Sequence, residues 1–186
     1  MDTLIIFARA PRLGAVKRRL ARGIGAPAAL RFYRGQLGRL LGAMRHERRW
    51  RTVLAITPDR GFLRAPFAQL PQGHGSLGQR MQRALGRYRR AVLVGCDIPG
   101  LGVADVAAAF RALGRADAVF GPAEDGGYWL VGLGPRRPAR PFAGVRWSTR
   151  HALADTLRNF PRQRVALLRR LRDVDTAADL AALGLR

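Results

Sequence analysis

AVLVGCDIPGL, Ala91–Leu101, runs from apolar residues through Gly95 and Cys96 to a single carboxylate, Asp97, and then to Pro99 and Gly100. An apolar run of this length closed by turn residues reads as a buried strand. In an open parallel sheet, ligands bind beyond the carboxyl ends of the strands, and Asp97 stands at such an end. A buried carboxylate is costly unless it is paired or holds a metal. The stretch therefore carries two readings. Asp97 serves a site, or it caps the helix that follows.

On both sides of this stretch, strand-like and helix-like segments alternate. Thr3–Ala8 reads as a first strand, and Arg9–Lys17 follows as a basic loop marked by Pro11 and Gly14. Leu30, Tyr33, Leu37, Leu40, Leu41 and Met44 recur at helical spacing within Ala26–Arg45, with Pro27 suited to the first turn. Thr52–Thr57 reads as a second strand, Phe67–Leu70 as a short one, and Leu77–Tyr88 as a helix after a glycine-rich loop. Beyond Asp97, Val103–Leu113 fits a helix, Asp117–Gly121 a strand and Tyr128–Leu133 another. A helix through Asn159 takes Ser148 or Thr149 as its N-cap, and Val165–Leu168 reads as a late strand. Thr176-x-x-Asp179 is a capping box for a final helix, which leaves Asp173 and Asp175 without a structural account. This alternation argues an α/β fold with a mainly parallel sheet flanked by helices. The absence of repeats and linkers argues one domain over 1–186.

Composition narrows the class. The chain has 186 residues, 48% of them hydrophobic, enough for one domain with a substantial core. Its formal net charge is +22, which attracts anions. Lys17 is the only lysine, so the charge is almost wholly arginine. The basic clusters at 45–51, 87–90 and 167–172 read as solvated faces of an arginine-biased chain rather than as a nucleic-acid interface. One cysteine, Cys96, excludes an internal disulfide and reads as apolar filler at a strand end. With three scattered histidines it forms no zinc pattern. No apolar run reaches the roughly 18 residues of a membrane span, and the first residues lack the pattern of a signal peptide. The expectation is a cytoplasmic protein.

Two loops carry candidate chemistry. The Arg9–Lys17 loop, between a first strand and a first helix, aims backbone N–H groups at phosphate, with Arg12 and Lys17 to pair with its oxygens. It matches neither the P-loop nor GxGxxG. In Pro122–Tyr128, Glu124 and Asp125 sit beside Gly126 and Gly127 and an aromatic. That suits close approach of a polar ligand. It equally suits an ordinary hairpin turn, since Asp-Gly is a turn dipeptide.

FARAPRLGAVKRRLA (7–21), GSLGQRM (75–81), VLVGCDIPGL (92–101), GPAEDGGYWLVGL (121–133), WST (147–149) and DVDTAADL (173–180) occur in this order. Together they resemble a bacterial family of GT-A-type transferases. These are often encoded near radical-SAM or selenium-related proteins and described as glycosyltransferases. The wider superfamily is that of the nucleotide-diphospho-sugar transferases. It includes the 2-phospholactate, molybdenum-cofactor and sugar-acid nucleotidylyltransferases. The resemblance covers nearly the whole chain and implies a single-domain, Rossmann-like GT-A fold. It implies nucleotide contacts from Ala8, Arg12, Gly14, Lys17, Gly78, Arg80 and Asp97. It implies a divalent metal, Mg²⁺ or Mn²⁺, on Asp97 and Asp175. Asp125, Gly126, Gly127, Tyr128, Trp147 and Ser148 fall on the acceptor side. Two positions depart from the family pattern. Lys17-Arg18-Arg19 replaces Lys-Thr-Arg, and Gln79 stands where an acid is common, which bears on nucleoside recognition.

The expected reaction is transfer of a group from a nucleotide-activated donor to a small acceptor. Asp125 orients or deprotonates the acceptor hydroxyl, and Arg12 and Lys17 stabilise charge on the departing phosphates. Glycosyl transfer leads. Nucleotidyl transfer from an NTP, with release of pyrophosphate, is the alternative, and a non-catalytic nucleic-acid-binding protein is a third reading. A transferase concentrates carboxylates at one end of the sheet, whereas a nucleic-acid binder shows one continuous basic groove.

Overall fold

A computed structural model describes residues 1–184; residues 185–186, the end of the expected domain, lie outside the described residues. The elements alternate as the sequence implies. They are β1 (Thr3–Arg9), α1 (Arg18–Ile24), α2 (Ala26–Met44), β2 (Arg51–Thr57), β3 (Ala68–Pro71), α3 (Leu77–Gly86) and β4 (Ala91–Gly95). Then come α4 (Val103–Ala112), β5 (Ala118–Pro122), β6 (Tyr128–Leu133), α5 (Ala152–Leu157), β7 (Val165–Leu167) and α6 (Ala177–Ala182). The strands form one seven-stranded sheet in the order β3-β2-β1-β4-β6-β5-β7. Every pairing is parallel except those of β6, which runs antiparallel to both β4 and β5. This is a single α/β domain with a mostly parallel sheet. Among the described residues no helix is long and apolar enough to cross a membrane.

The alternation of side chains along each strand builds a core on both faces. Leu4, Ile6, Leu54, Ile56, Val92 and Val94 face α2 and α4, where Tyr33, Leu37, Leu40, Val106 and Phe110 close the layer. Ile5, Val53, Leu93, Phe120 and Val131 face the other way, against Met81 and Leu85 of α3 and Phe160. A third, smaller cluster joins Leu20 of α1, Ala29 of α2, Leu180 of α6 and Val174. It ties the end of the chain to its beginning.

Local chemistry sets the ends of the helices, with some departures from expectation. Asp97 does not cap α4. Gly102 does, and Asp105 Oδ2 accepts from the Gly102 N–H at 3.0 Å. The helix after Trp147 is shorter than expected and is not capped by Ser148 or Thr149. Its N-cap is His151. Ser148 instead has φ 60, and Thr149 Oγ1 donates to Arg146 O at 2.8 Å, closing a turn before the helix. Thr176 and Asp179 do form the capping box of α6. A second capping box starts α3, where Gln79 Oε1 accepts from the Ser76 N–H at 2.8 Å. Gln79 is thus spent on the helix end rather than on a nucleoside.

The α1–α6 contact is tight. A Cβ on Gly23 would lie 2.6 Å from the Ala177 Cβ. Gly23→Val should therefore cost about 1–3 kcal/mol through overpacking, read as a lower urea midpoint at unchanged slope. A stability equal to that of the wild type would show that the contact between the two chain ends is dispensable.

Candidate active site

The chain leaves β1 towards β2 on one side and later places β4 on the other, so the strand order reverses between β1 and β4. In such a sheet, the loops diverging from the two strand ends leave a crevice. Here it is a cleft of about 870 Å³ over the carboxyl ends of β1 and β4.

Lys17 lies at its centre. It is the residue before α1, held at φ 47, next to the buried Val16. Its side chain is only 5% exposed, and Nζ lies 2.6 Å from Asp97 Oδ2 and 2.7 Å from Asp175 Oδ1. Burial alone would lower the pKa of this ammonium. The charges of Asp97 and Asp175 outweigh it, and the pKa is raised. Lys17 is therefore a cation across the working pH range.

Each partner is delivered by a different element. Asp97 follows β4 directly. Asp175 comes from the strand-like run after β7, which continues the sheet: Leu168 N–H donates to Phe120 O at 2.8 Å and Leu171 N–H to Pro122 O at 3.1 Å. Val174, fully buried against Leu20 and Leu180, pins this run, while Asp173 and Asp175 on either side of it line the cleft. Asp173 lies between Asp125 and Asp175 in charge terms. Burial, then those two carboxylates, push its pKa up to about 6.

The hairpin between β5 and β6 supplies Asp125. Both readings of this segment hold. It is a turn, in which Asp125 Oδ1 accepts from the Gly127 N–H at 2.8 Å, and it also lines the cleft through Asp125, Gly127 and Tyr128. Gly126 is required by the fold. Its φ is 86, and a side chain there would run into the backbone of Arg150.

Both signs of charge line the cleft: Arg9, Lys17, Arg18, Arg19 and Arg80, and Asp97, Asp125, Asp173 and Asp175. They meet where Lys17 contacts Asp97 and Asp175 and Arg19 Nη1 lies 3.8 Å from Asp175 Oδ2. Beneath them, Tyr33 donates to Arg9 O at 2.9 Å and accepts from the Arg9 N–H at 2.8 Å. Cys96 Sγ donates to the same hydroxyl at 3.1 Å. Burial pushes the Cys96 thiol up to about 12, so it is a neutral packing group rather than a nucleophile.

Of the residues singled out in the sequence, Ala8, Lys17, Arg80, Asp97, Asp125, Gly127, Tyr128, Trp147, Ser148 and Asp175 line the cleft. Arg12, Gly14, Gly78 and Gly126 are not among its lining residues. Arg12 and Gly14 are exposed on the loop after β1. Gly78 is buried where a Cβ would stand 2.9 Å from Phe142 Cβ and 3.0 Å from Trp147, so its bare backbone admits the indole. Sequence reasoning gives no role in the site to Asp173, Tyr33 or Gln72. Alternation around an apolar Val174 is a signal for Asp173. Tyr33 read as core, and nothing local marks Gln72.

No group of three or more His, Cys, Asp or Glu side chains forms a metal cage among the described residues. Two carboxylates do converge on one cation, Lys17.

Residues 40–149 match the family described as "Uncharacterized protein conserved in bacteria (DUF2064)". No curated protein matches the chain. Among solved structures it resembles a proposed nucleotide-diphospho-sugar transferase from Desulfovibrio desulfuricans G20. The identity is 28% over 98% of this chain and 85% of that one, with a TM-score of 0.84. It also resembles 4-diphosphocytidyl-2C-methyl-D-erythritol synthase from Anaerococcus prevotii, at 11% identity over 99% and 98% of the chains and a TM-score of 0.60. A third is Rv0371c of Mycobacterium tuberculosis H37Rv in complex with manganese, at 16% identity over 98% and 97% and a TM-score of 0.52. The last two are likenesses of fold.

Trp147 is placed by an ion pair. Arg146 Nε donates to Asp155 Oδ2 at 2.8 Å and Nη2 to Oδ1 at 2.9 Å. Those bonds hold the Asp155 carboxyl well below its ordinary value. The unfolded chain therefore takes up this proton first as pH falls, and the stabilisation is present above the ordinary value of about 3.9 and lost below it. The stability difference between wild type and Asp155→Asn should be largest above about pH 5 and shrink below about pH 3. Urea midpoints across that range measure it, and a pH-independent difference would remove the ionic bond from the account.

Proposed function

We propose, for a chain that belongs to the bacterial DUF2064 family, that the cleft transfers a glycosyl group from a nucleotide-activated sugar to a hydroxyl of a small acceptor. The enzyme is a nucleotide-dependent transferase. The observation that carries this reading is that one cleft over the carboxyl ends of β1 and β4 is lined by five cations and four carboxylates, with Lys17 bonded to Asp97 and Asp175 among them. A nucleoside diphosphate needs the cations, and an acceptor hydroxyl needs a carboxylate.

Lys17 Nζ is bonded to Asp97 Oδ2 and Asp175 Oδ1. A hard divalent cation would take the remaining carboxylate oxygens, Asp97 Oδ1 and Asp175 Oδ2, with the substrate's phosphates and water completing its shell. When bound, Mg²⁺ or Mn²⁺ would neutralise charge on the diphosphate. Lys17 holds a second positive charge between the same two carboxylates. Because Lys17 is buried and already oriented, it costs no reorganisation during reaction. Arg18 and Arg19 add to the positive charge. Asp125 orients the acceptor hydroxyl and takes its proton as the acceptor oxygen bonds to the sugar carbon. The bond from that carbon to the diphosphate breaks, and the nucleoside diphosphate leaves. Tyr128 and Trp147, whose ring centres are 6.2 Å apart, form the apolar side of the acceptor end.

One observation favours a second reading. Four arginines besides Lys17 line the cleft, more positive charge than a diphosphate requires. Attack at the α-phosphorus of an NTP, with release of pyrophosphate, would use it.

A thermal-shift panel of nucleotide sugars and NTPs, with Mg²⁺, Mn²⁺ or EDTA, tests the proposal. At a ligand concentration a hundredfold above Kd, the right donor should raise Tm by about 5–10 °C. Asp97→Asn should abolish the metal-dependent part of that shift. Pyrophosphate release from an NTP would replace glycosyl transfer by nucleotidyl transfer. A full metal-dependent shift in Asp97→Asn would remove Asp97 from the metal site.

A further inference from the structure

Gln72 follows β3 and is 2% exposed. Its Nε2 donates to Ala8 O at 3.0 Å and to Ala55 O at 2.9 Å, one carbonyl on β1 and one on β2. With both N–H groups spent, the direction of the amide oxygen is settled. Oε1 accepts from Arg80 Nη1 at 2.7 Å. Arg80 thereby stands in the cleft wall, its guanidinium 6.0 Å from the centre of the Phe7 ring. Leu77 and Met81 line the cleft beside it. This end lies on the β3 side of β1, whereas Lys17, Asp97 and Asp175 gather on the β4 side. A nucleotide with its phosphates at Lys17 would extend its base towards Arg80.

The hydrogen-bonding inventory at this end is dominated by donors. Ala8 O accepts from Gln72, and Arg9 O accepts from Tyr33. Ile56 O accepts from the Gln72 N–H at 3.1 Å, and Thr57 O from the Ala10 N–H at 2.9 Å. The strand-end carbonyls are already engaged. The side chains that remain are the guanidiniums of Arg9 and Arg80, which only donate, and the hydroxyl of Thr57. Burial and the neighbouring charges of Arg9 and Arg83 act against the charge on Arg80, and an electron-rich ligand atom would relieve that repulsion.

We propose that Gln72 is a positioning residue that locks Arg80 to read oxo groups on a nucleobase, so that the cleft selects guanine or uracil nucleotides over adenine and cytosine. The inference rests on the nucleotide reading of the cleft. Guanine offers O6 and N7 to an arginine in a bidentate pair, and uracil offers ring oxo groups. Where guanine has O6 adenine has the N6 amino group, and where uracil has O4 cytosine has the N4 amino group, so guanidinium donors aimed at those positions meet donor with donor in adenine and cytosine. A site built for one hydrogen-bond pattern rejects a ligand lacking it, because its own buried groups are left unpaired.

Isothermal titration of the full chain with GDP, UDP, CDP and ADP, each with Mg²⁺, tests this. Magnesium pyrophosphate serves as a probe without a base. GDP or UDP should bind at least about tenfold more tightly than CDP and ADP, the factor expected for one good base contact. Gln72→Leu should reduce that ratio to under about threefold while leaving pyrophosphate affinity unchanged, which a merely structural role would not do. Arg80→Met should give the same loss, and the double variant no more than either alone, as coupled residues do. If Gln72→Leu fails to fold, Arg80→Met carries the test. Equal affinity for the four diphosphates, or selectivity unchanged in the variants, overturns the base-reading role and leaves the nucleotide reading standing. Binding of none of the four diphosphates and no pyrophosphate overturns both.

Discussion

A single ammonium holds together the loop after β1, the end of β4 and the run before α6. Lys17 and Asp175 are 158 positions apart in the chain, yet their side chains are in direct contact. The Lys17 side chain is 5% exposed, while those of Asp97 and Asp175 are 33% and 42% exposed, so desolvating the ammonium offsets much of what the two pairs gain. The consequence of the triad is placement. Two carboxylates that would repel one another are held on one side of the cleft, and the only lysine is held against them. The buried anchors do the energetic part. Val16 sits before Lys17, Val174 before Asp175, and the strand core of Leu93 and Val94 before Asp97.

The same arrangement brings both signs of charge into one cleft. The cations come from β1, α1 and α3, and the carboxylates from the end of β4, the β5–β6 hairpin and the final run. The single antiparallel strand makes the place of Asp125 possible. A parallel β6 would need a long crossover. An antiparallel one returns through a short turn at Asp125, and that turn opens into the cleft. Gly126 fits this turn because its φ is positive and the Arg150 backbone lies where a side chain would be. The two readings of Glu124–Gly127, turn and site, are therefore one structure.

Aromatic packing fixes the end of the cleft at Tyr128 and Trp147. Trp147 rests on Gly78 of α3, touches Tyr128 edge-on and is held from behind by Arg146 on Asp155. The family resemblance places Gly78 with the nucleotide. In the structure its value is the absence of a Cβ, which lets an indole approach the helix. Gln79 is likewise explained by the start of α3.

Periodicity and turn residues made the strands, the long helix α2 and the α/β class legible, because these follow from interactions within ten or so residues. Asp97 was legible as a strand-end carboxylate for the same reason, and its two readings were separated only when Gly102 proved to be the cap of α4. The contact of Lys17 with Asp175 and the lock of Gln72 on Arg80 left no local trace. Each depends on which strands become neighbours, and strand order is settled by crossovers between distant segments. Arg12 shows the converse. Its position in a basic loop marked it as a phosphate ligand by proximity in sequence; in the fold Arg12 is exposed and not among the cleft lining, while Lys17, five residues later, is. Residue types and spacing determined the elements and the kind of chemistry available. The folded chain decided which charges meet, because side-chain contact across a sheet is set by register and burial rather than by distance along the chain.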